Sequence, residues 1–81
     1  MIFYLLDVLS TVIINGKEVA FDYINTYYTP EAVKTAAEML KQRDDIVRYT
    51  INEWTLSENG EQDHTGNILD SWYNPNHPEN Q

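Results

Sequence analysis

No cysteine occurs in this 81-residue chain, so disulfide stapling and thiolate metal sites are excluded and a hydrophobic core must hold the fold alone. Positive charge is also scarce. Five lysines and arginines stand against thirteen acids, for a formal net charge of −8. The last cation is Arg48, and the 33 residues after it carry Glu53, Glu58, Glu61, Asp63, Asp70 and Glu79 without a lysine or arginine. Binding to phosphate needs cations that displace its counterions, so direct contact with nucleic acid or an anionic membrane surface is disfavoured. The three glycines, Gly16, Gly60 and Gly66, are isolated, which leaves no phosphate-cradling loop. Long apolar runs are missing too. Met1 to Ile14 is interrupted by Asp7, Ser10 and Thr11 and lacks a basic leading segment and a small-residue cleavage site, so it reads as neither signal peptide nor bilayer span. A cytoplasmic protein is the expectation.

What is present is the pattern of a small folded domain. Apolar residues make up 42% and charged residues 22%, ordinary globular proportions with β-branched and aromatic residues in runs. Asn15-Gly16 separates two such runs, and both residues tolerate the positive φ that a type I′ hairpin turn requires. A two-residue turn there makes paired positions sum to 31. That register sets Tyr4, Leu6, Val8, Val12 and Ile14 on one face with Val19, Phe21, Tyr23 and Tyr27, the expected core face. Asp7, Leu9, Thr11, Ile13, Glu18, Ala20, Asp22 and Ile24 take the other, wetter face.

Thr29-Pro30-Glu31 predicts a helix start: a threonine cap, a proline at the first helical position, and an acid at the positive end of the dipole. Val33, Ala36, Ala37 and Leu40 recur at helical spacing, so a helix is expected from Pro30 to Arg43, with Asp44-Asp45 in a loop. A third strand is expected over Ile46 to Leu56. Within it Val47, Tyr49 and Ile51 share one parity and Trp54 and Leu56 the other, which predicts a bulge near Asn52-Glu53. Ser57-Glu58-Asn59-Gly60 predicts a second turn and Gln62 to Leu69 a fourth strand, with Asp70 to Tyr73 extending it or forming a helical turn. The expected fold is α+β, a ββαββ domain over residues 1–73 with a four-stranded, largely antiparallel sheet and one helix on one face. Residues 74–81 lack an apolar anchor and are expected to be a disordered tail.

No catalytic motif is legible. Asp63-His64 pairs a carboxylate with an imidazole, but neighbouring strand residues point to opposite faces, so the two side chains are expected to diverge. Glu58, Glu61, Asp63 and Asp70 are hard oxygen donors in a short span, yet their spacing does not match a calcium-binding loop. His64 and His77 lack a third ligand for zinc. No cofactor is expected.

The aromatic set of Tyr4, Tyr23, Tyr27, Tyr28, Tyr49, Tyr73, Trp54 and Trp72 fits a half-buried sheet surface. Trp54 and Trp72 stand apart because both fall in the cation-free segment, and tryptophan is a favoured interface anchor. The expected function is a non-enzymatic interaction module that binds a basic protein partner through Trp54, Glu53, Glu58, Glu61, Asp63, Asp70 and Trp72. Alternatives are a nucleic-acid mimic that inhibits a DNA-binding enzyme, of the phage or mobile-element accessory type, a carboxylate ion-binding domain, and a homodimer formed through Leu9, Ile13 and Ile24. Duplex DNA carries about one charge per 1.7 Å of axis, a density these acids do not approach.

Overall fold

The computed structural model describes residues 1–81. Two long strands, β1 (Ile2–Ile14) and β2 (Lys17–Tyr27), are followed by one helix, α1 (Pro30–Leu40), and by β3 (Ile46–Leu56) and β4 (Gln62–Tyr73). The fold is therefore α+β with the order ββαββ. All three strand pairings are antiparallel, in the spatial order β2-β1-β3-β4. Since β2 and β3 both run against β1, they are parallel to each other, and the helix carries the chain over β1 from one to the other.

Local chemistry accounts for each connection. Asn15 and Gly16 have φ of 51° and 77°, the left-handed pair that a type I′ turn needs. The register Tyr4↔Tyr27 through Ile14↔Lys17 sums to 31, as expected from a two-residue turn. The Thr29 hydroxyl accepts from the Ala32 N–H at 3.1 Å, and Pro30 opens the helix. Between β3 and β4, the Gly60 N–H donates to the Ser57 carbonyl and the Ser57 N–H to the Glu61 carbonyl. With Gly60 at φ 84°, this is a three-residue hairpin loop closed by a glycine bulge.

Tyr4, Leu6, Val8, Ile46, Tyr49 and Ile51 of the sheet and Val33, Ala37 and Leu40 of α1 form the core. Its extent corrects the core expected from alternation. Val12, Ile14, Val19 and Phe21 lie on the helix side but are exposed, and the reason is length. An 11-residue helix spans about 16 Å, whereas the molecule is 47 Å long. The helix ends at Leu40 rather than Arg43, so it covers only the base of the sheet, and the β1–β2 hairpin projects beyond it as an arm.

The pairing is irregular at Asn52-Glu53, where a bulge is expected, but the extra residues lie on the partner strand. Against β1, β3 runs in unbroken register from Ile2↔Thr55 to Leu9↔Arg48, and its own extra residue is Val47, past which Ile46 rather than Val47 joins Tyr49 and Ile51 in the core. The irregularities opposite Asn52 lie in β4, which has an extra residue at Leu69 and two more across Thr65–Asn67. Trp54 and Leu56 differ in parity from Ile51 because they occupy the sheet's reverse face with Phe3 and Leu5.

The path of residues 74–81 also departs from expectation. Asn74 and His77 are buried. The Asn74 side chain donates to the Ile46 carbonyl at 2.9 Å and its N–H to the Val47 carbonyl at 2.9 Å, while the Asn80 amide donates to Val47 O at 2.8 Å and Asn74 O at 2.7 Å. His77 Nδ1 accepts from the Glu79 N–H at 3.1 Å, so Nε2 holds the proton and donates to the Thr11 hydroxyl at 3.1 Å. The segment, anchored by polar groups rather than apolar ones, binds the start of β3 to Thr11 in the last third of β1.

Candidate functional site

The acids singled out from the sequence lie along β3, β4 and the turn between them. Register decides their faces. Glu53 pairs with Tyr4, Asp63 with Thr55 and Asp70 with Ile51, so all three lie on the helix side of the sheet. Glu58 and Glu61 occupy the turn and are exposed. Helix α1 makes its main contacts with β1, β2 and β3, which leaves the β4 margin of that face uncovered. No lysine or arginine belongs to β4 or its turn, and Arg48, the register neighbour of Tyr73, lies on the reverse face, so the helix side of this edge carries negative charge without a cation beside it.

Two of the seven residues are tied to the core. The half-buried Trp72 ring lies against Tyr49, with centroids 5.6 Å apart and planes at 32°, and belongs to the core margin. Asp70, also half-buried, accepts the Tyr49 hydroxyl at 2.6 Å and its neighbour Ser71 N–H at 2.9 Å. Burial, then the bond to Asp70, pushes the Tyr49 hydroxyl well above the usual tyrosine range.

Trp54 is separated from the acids by the thickness of the sheet. It faces the reverse side, where it meets His64 edge-on at 5.4 Å. His64 is fixed by the bulge: Nδ1 accepts from the Gly66 N–H at 2.8 Å, which puts the proton on Nε2, facing Asn52 Oδ1 at 3.1 Å. Gly66 has φ 94°, a conformation that favours glycine. Glu53 closes the bulge from the other face. Its carboxylate accepts from the Asn67 amide at 3.2 Å and its carbonyl from the Thr65 hydroxyl at 3.3 Å. The bulge is thus a hydrogen-bonded knot that stiffens the acidic edge.

Asp63 and His64 diverge to opposite faces, as alternation requires. Nowhere do three or more His, Asp or Glu side chains converge as a metal site would need, and no helix is long and apolar enough to cross a membrane.

The positive charges lie elsewhere. Lys17 is at the arm's tip, Arg48 on the reverse face between Leu9 of β1 and Tyr73 of β4, Lys34 on α1, and Lys41 just past its end, where it meets Glu38 at 3.1 Å. Arg43 makes a two-point contact with Asp45, at 3.0 and 2.6 Å. The hydrogen bond from Arg43 holds the Asp45 carboxyl below the usual carboxylate range. Asp45 also accepts from Ser10, which ties the α1–β3 loop to β1.

Sequence reasoning missed the exposed apolar arm and a groove of about 440 Å³ between β2 and α1, lined by Tyr23, Tyr27, Ala36 and Met39 among others. Only helix length relative to strand length could have signalled them. A scan against protein-family models finds no match, and searches of curated proteins and of solved structures find none either.

Proposed function

We propose that this protein is a non-enzymatic interaction module whose β4 edge and β3–β4 turn bind a basic surface on a protein partner. The observation that carries this reading is the grouping of Glu53, Asp63 and Asp70 on one face, beside Glu58 and Glu61, at an edge that has no cation of its own. An uncompensated patch of this kind steers a cationic partner and raises its association rate, and salt screens the effect beyond about 8–10 Å. The hydrogen-bonded bulge supports the reading by holding the acids in place before a partner arrives, which lowers the ordering cost of binding. The contact acids are Glu53, Glu58, Glu61 and Asp63. Trp54 would engage only a partner that wraps around the edge, and Trp72 serves mainly to pack on Tyr49. The carboxylates are sparse beside duplex DNA, so a protein surface is preferred to the groove of a DNA-binding enzyme.

The test is retention of the protein on an immobilised lysine- and arginine-rich peptide at low and high salt. Wild type is expected to be retained at low salt and released by 0.5 M salt. Reversing Glu58→Lys with Glu61→Lys should abolish retention, while Glu18→Lys with Asp22→Lys, the same charge change on the opposite edge, should leave most of it. Equal losses from both pairs would mean that net charge alone is read, and the proposed surface would be abandoned.

A further inference from the structure

The opposite edge of the sheet has the reverse character. Strand β2 pairs with β1 in one unbroken register over all eleven residues, with no proline, glycine or bulge. A two-residue turn makes Ile14↔Lys17 a hydrogen-bonded pair, so odd-numbered residues of β2 bond inward to β1. The Thr11 N–H, of the other parity on β1, donates away from β2 to Asp45, which agrees with this phase. The N–H and C=O groups of Glu18, Ala20, Asp22, Ile24 and Thr26 therefore point outward, unpaired. Long, regular, apolar edges of this kind are templates for further pairing, and natural proteins blunt them with bulges, proline or charge. Here β4 is blunted by its bulges and acids, and β2 is not. Phe21 and Ile24 remain 42% and 57% exposed, and the only charges on β2 are Lys17, Glu18 and Asp22.

We infer that β2 pairs antiparallel with β2 of a second copy of this chain, about a two-fold axis at Phe21, to give a continuous eight-stranded sheet. Charge and register select both the partner and the centre. In a chain of net charge −8, two copies approach with least repulsion at this edge, where charge is low and both signs occur. A centre at Asp22 would set Asp22 against itself, and a centre at Ala20 would oppose Glu18 to Asp22. Like charges directly opposed across strands are destabilising. A centre at Tyr23 would face Phe21 with Asn25. The centre at Phe21 opposes Phe21 to Phe21 and Val19 to Tyr23 on the helix side, and Ala20 to Asp22 and Glu18 to Ile24 on the reverse. It also brings the outward backbone groups of those even-numbered residues together as hydrogen-bonded pairs. Val19 of the second copy then lies beside Tyr23, at the mouth of the α1–β2 groove, and both acidic β4 edges stay free at the ends.

Light scattering and sedimentation over a concentration series test this. The expected mass approaches twice the 9.5 kDa of the chain, with the Ala20 and Ile24 amides protected from exchange at high concentration and unprotected on dilution. Phe21→Lys, which sets two cations face to face, should raise the dissociation constant at least tenfold. So should Ala20→Pro, which removes an outward N–H without breaking the β1–β2 ladder. Circular dichroism and melting of both variants establish that they fold. A wild-type mass of one chain at millimolar concentration would overturn the inference. A dimer that survives both substitutions, or a mass that keeps rising beyond two chains, would do so as well. Glu58→Lys with Glu61→Lys should leave the mass unchanged, and monomeric Ala20→Pro should still bind the basic peptide, so failure here is distinguishable from failure of the proposed function.

Discussion

Tyr49→Phe isolates one hydrogen bond at the junction of core and acidic edge. The Tyr49 side chain is fully buried, and its hydroxyl donates to Asp70 at 2.6 Å. Phenylalanine keeps the ring and its contact with Trp72, so no cavity opens and only the hydroxyl is lost. A hydrogen bond to a charged group contributes about 1.5–3 kcal/mol. Asp70 is half-buried and keeps its bond from the Ser71 N–H, so water offsets part of the loss, and about 1.5–2 kcal/mol is expected. For a domain of this size each kcal/mol moves Tm by about 4–8 °C, a fall of roughly 6–16 °C. The assay is thermal and urea unfolding followed by circular dichroism, with Asp70→Asn and the double variant completing a cycle whose coupling should reach about 1 kcal/mol. The alkaline side gives a second readout. The folded state raises the hydroxyl's pKa above the unfolded value of about 10, so this stabilisation is complete below pH 10 and is lost as pH climbs beyond it. Tyr49→Phe should remove that component of alkaline unfolding. A variant melting within about 2 °C of wild type, with unchanged alkaline behaviour, would refute the assignment.

Three further perturbations probe other parts of the fold. Leu6→Ala, at the centre of the helix-covered face, should cost about 2–5 kcal/mol. Against a total stability of about 4–12 kcal/mol for this length, the urea midpoint should fall sharply, and an unchanged midpoint would mean the core lies elsewhere. Asn74→Ala removes the donor to the Ile46 carbonyl and should cost about 1–3 kcal/mol, with faster amide exchange over residues 74–81; exchange equally fast in wild type would show that the segment is not held. Asp45→Asn bears on acid stability. The folded Asp45 carboxyl titrates below its unfolded value, so its contribution is present above about pH 4 and is lost as pH falls further. The ion pair with Arg43 is partly exposed, so the wild-type advantage at neutral pH should be under about 1 kcal/mol and should vanish by about pH 2. An advantage that persists there would contradict the ion-pair origin.

Much of the architecture was legible because it rests on local chemistry. Asn15-Gly16 specified the first hairpin and its register, since few residues accept positive φ at both turn positions. Thr29-Pro30 marked the helix start, and its end was overestimated because the chain leaves the helix at Leu40 and Arg43 bonds to Asp45 of the following loop, a contact that helical periodicity does not register. The C-terminal segment escaped notice because Asn74, His77 and Asn80 dock through hydrogen bonds, which a hydrophobicity pattern does not register. The acids of the candidate site were legible as a cation-free run, but not their faces. One extra residue in β4 at Leu69 and two more across Thr65–Asn67 reset the alternation, and bulges in a partner strand leave no mark on β3.

Composition and order along the chain were enough to determine the class of fold, the hairpin register and the one-sided charge, because each follows from the preferences of neighbouring residues. Tertiary structure decided which apolar residues became core, which tryptophan was packed away, and which edge was left open. Those outcomes depend on how far an 11-residue helix reaches along strands of thirteen and eleven residues, and on where β4 slips against β3. Neither quantity belongs to any single segment of the sequence.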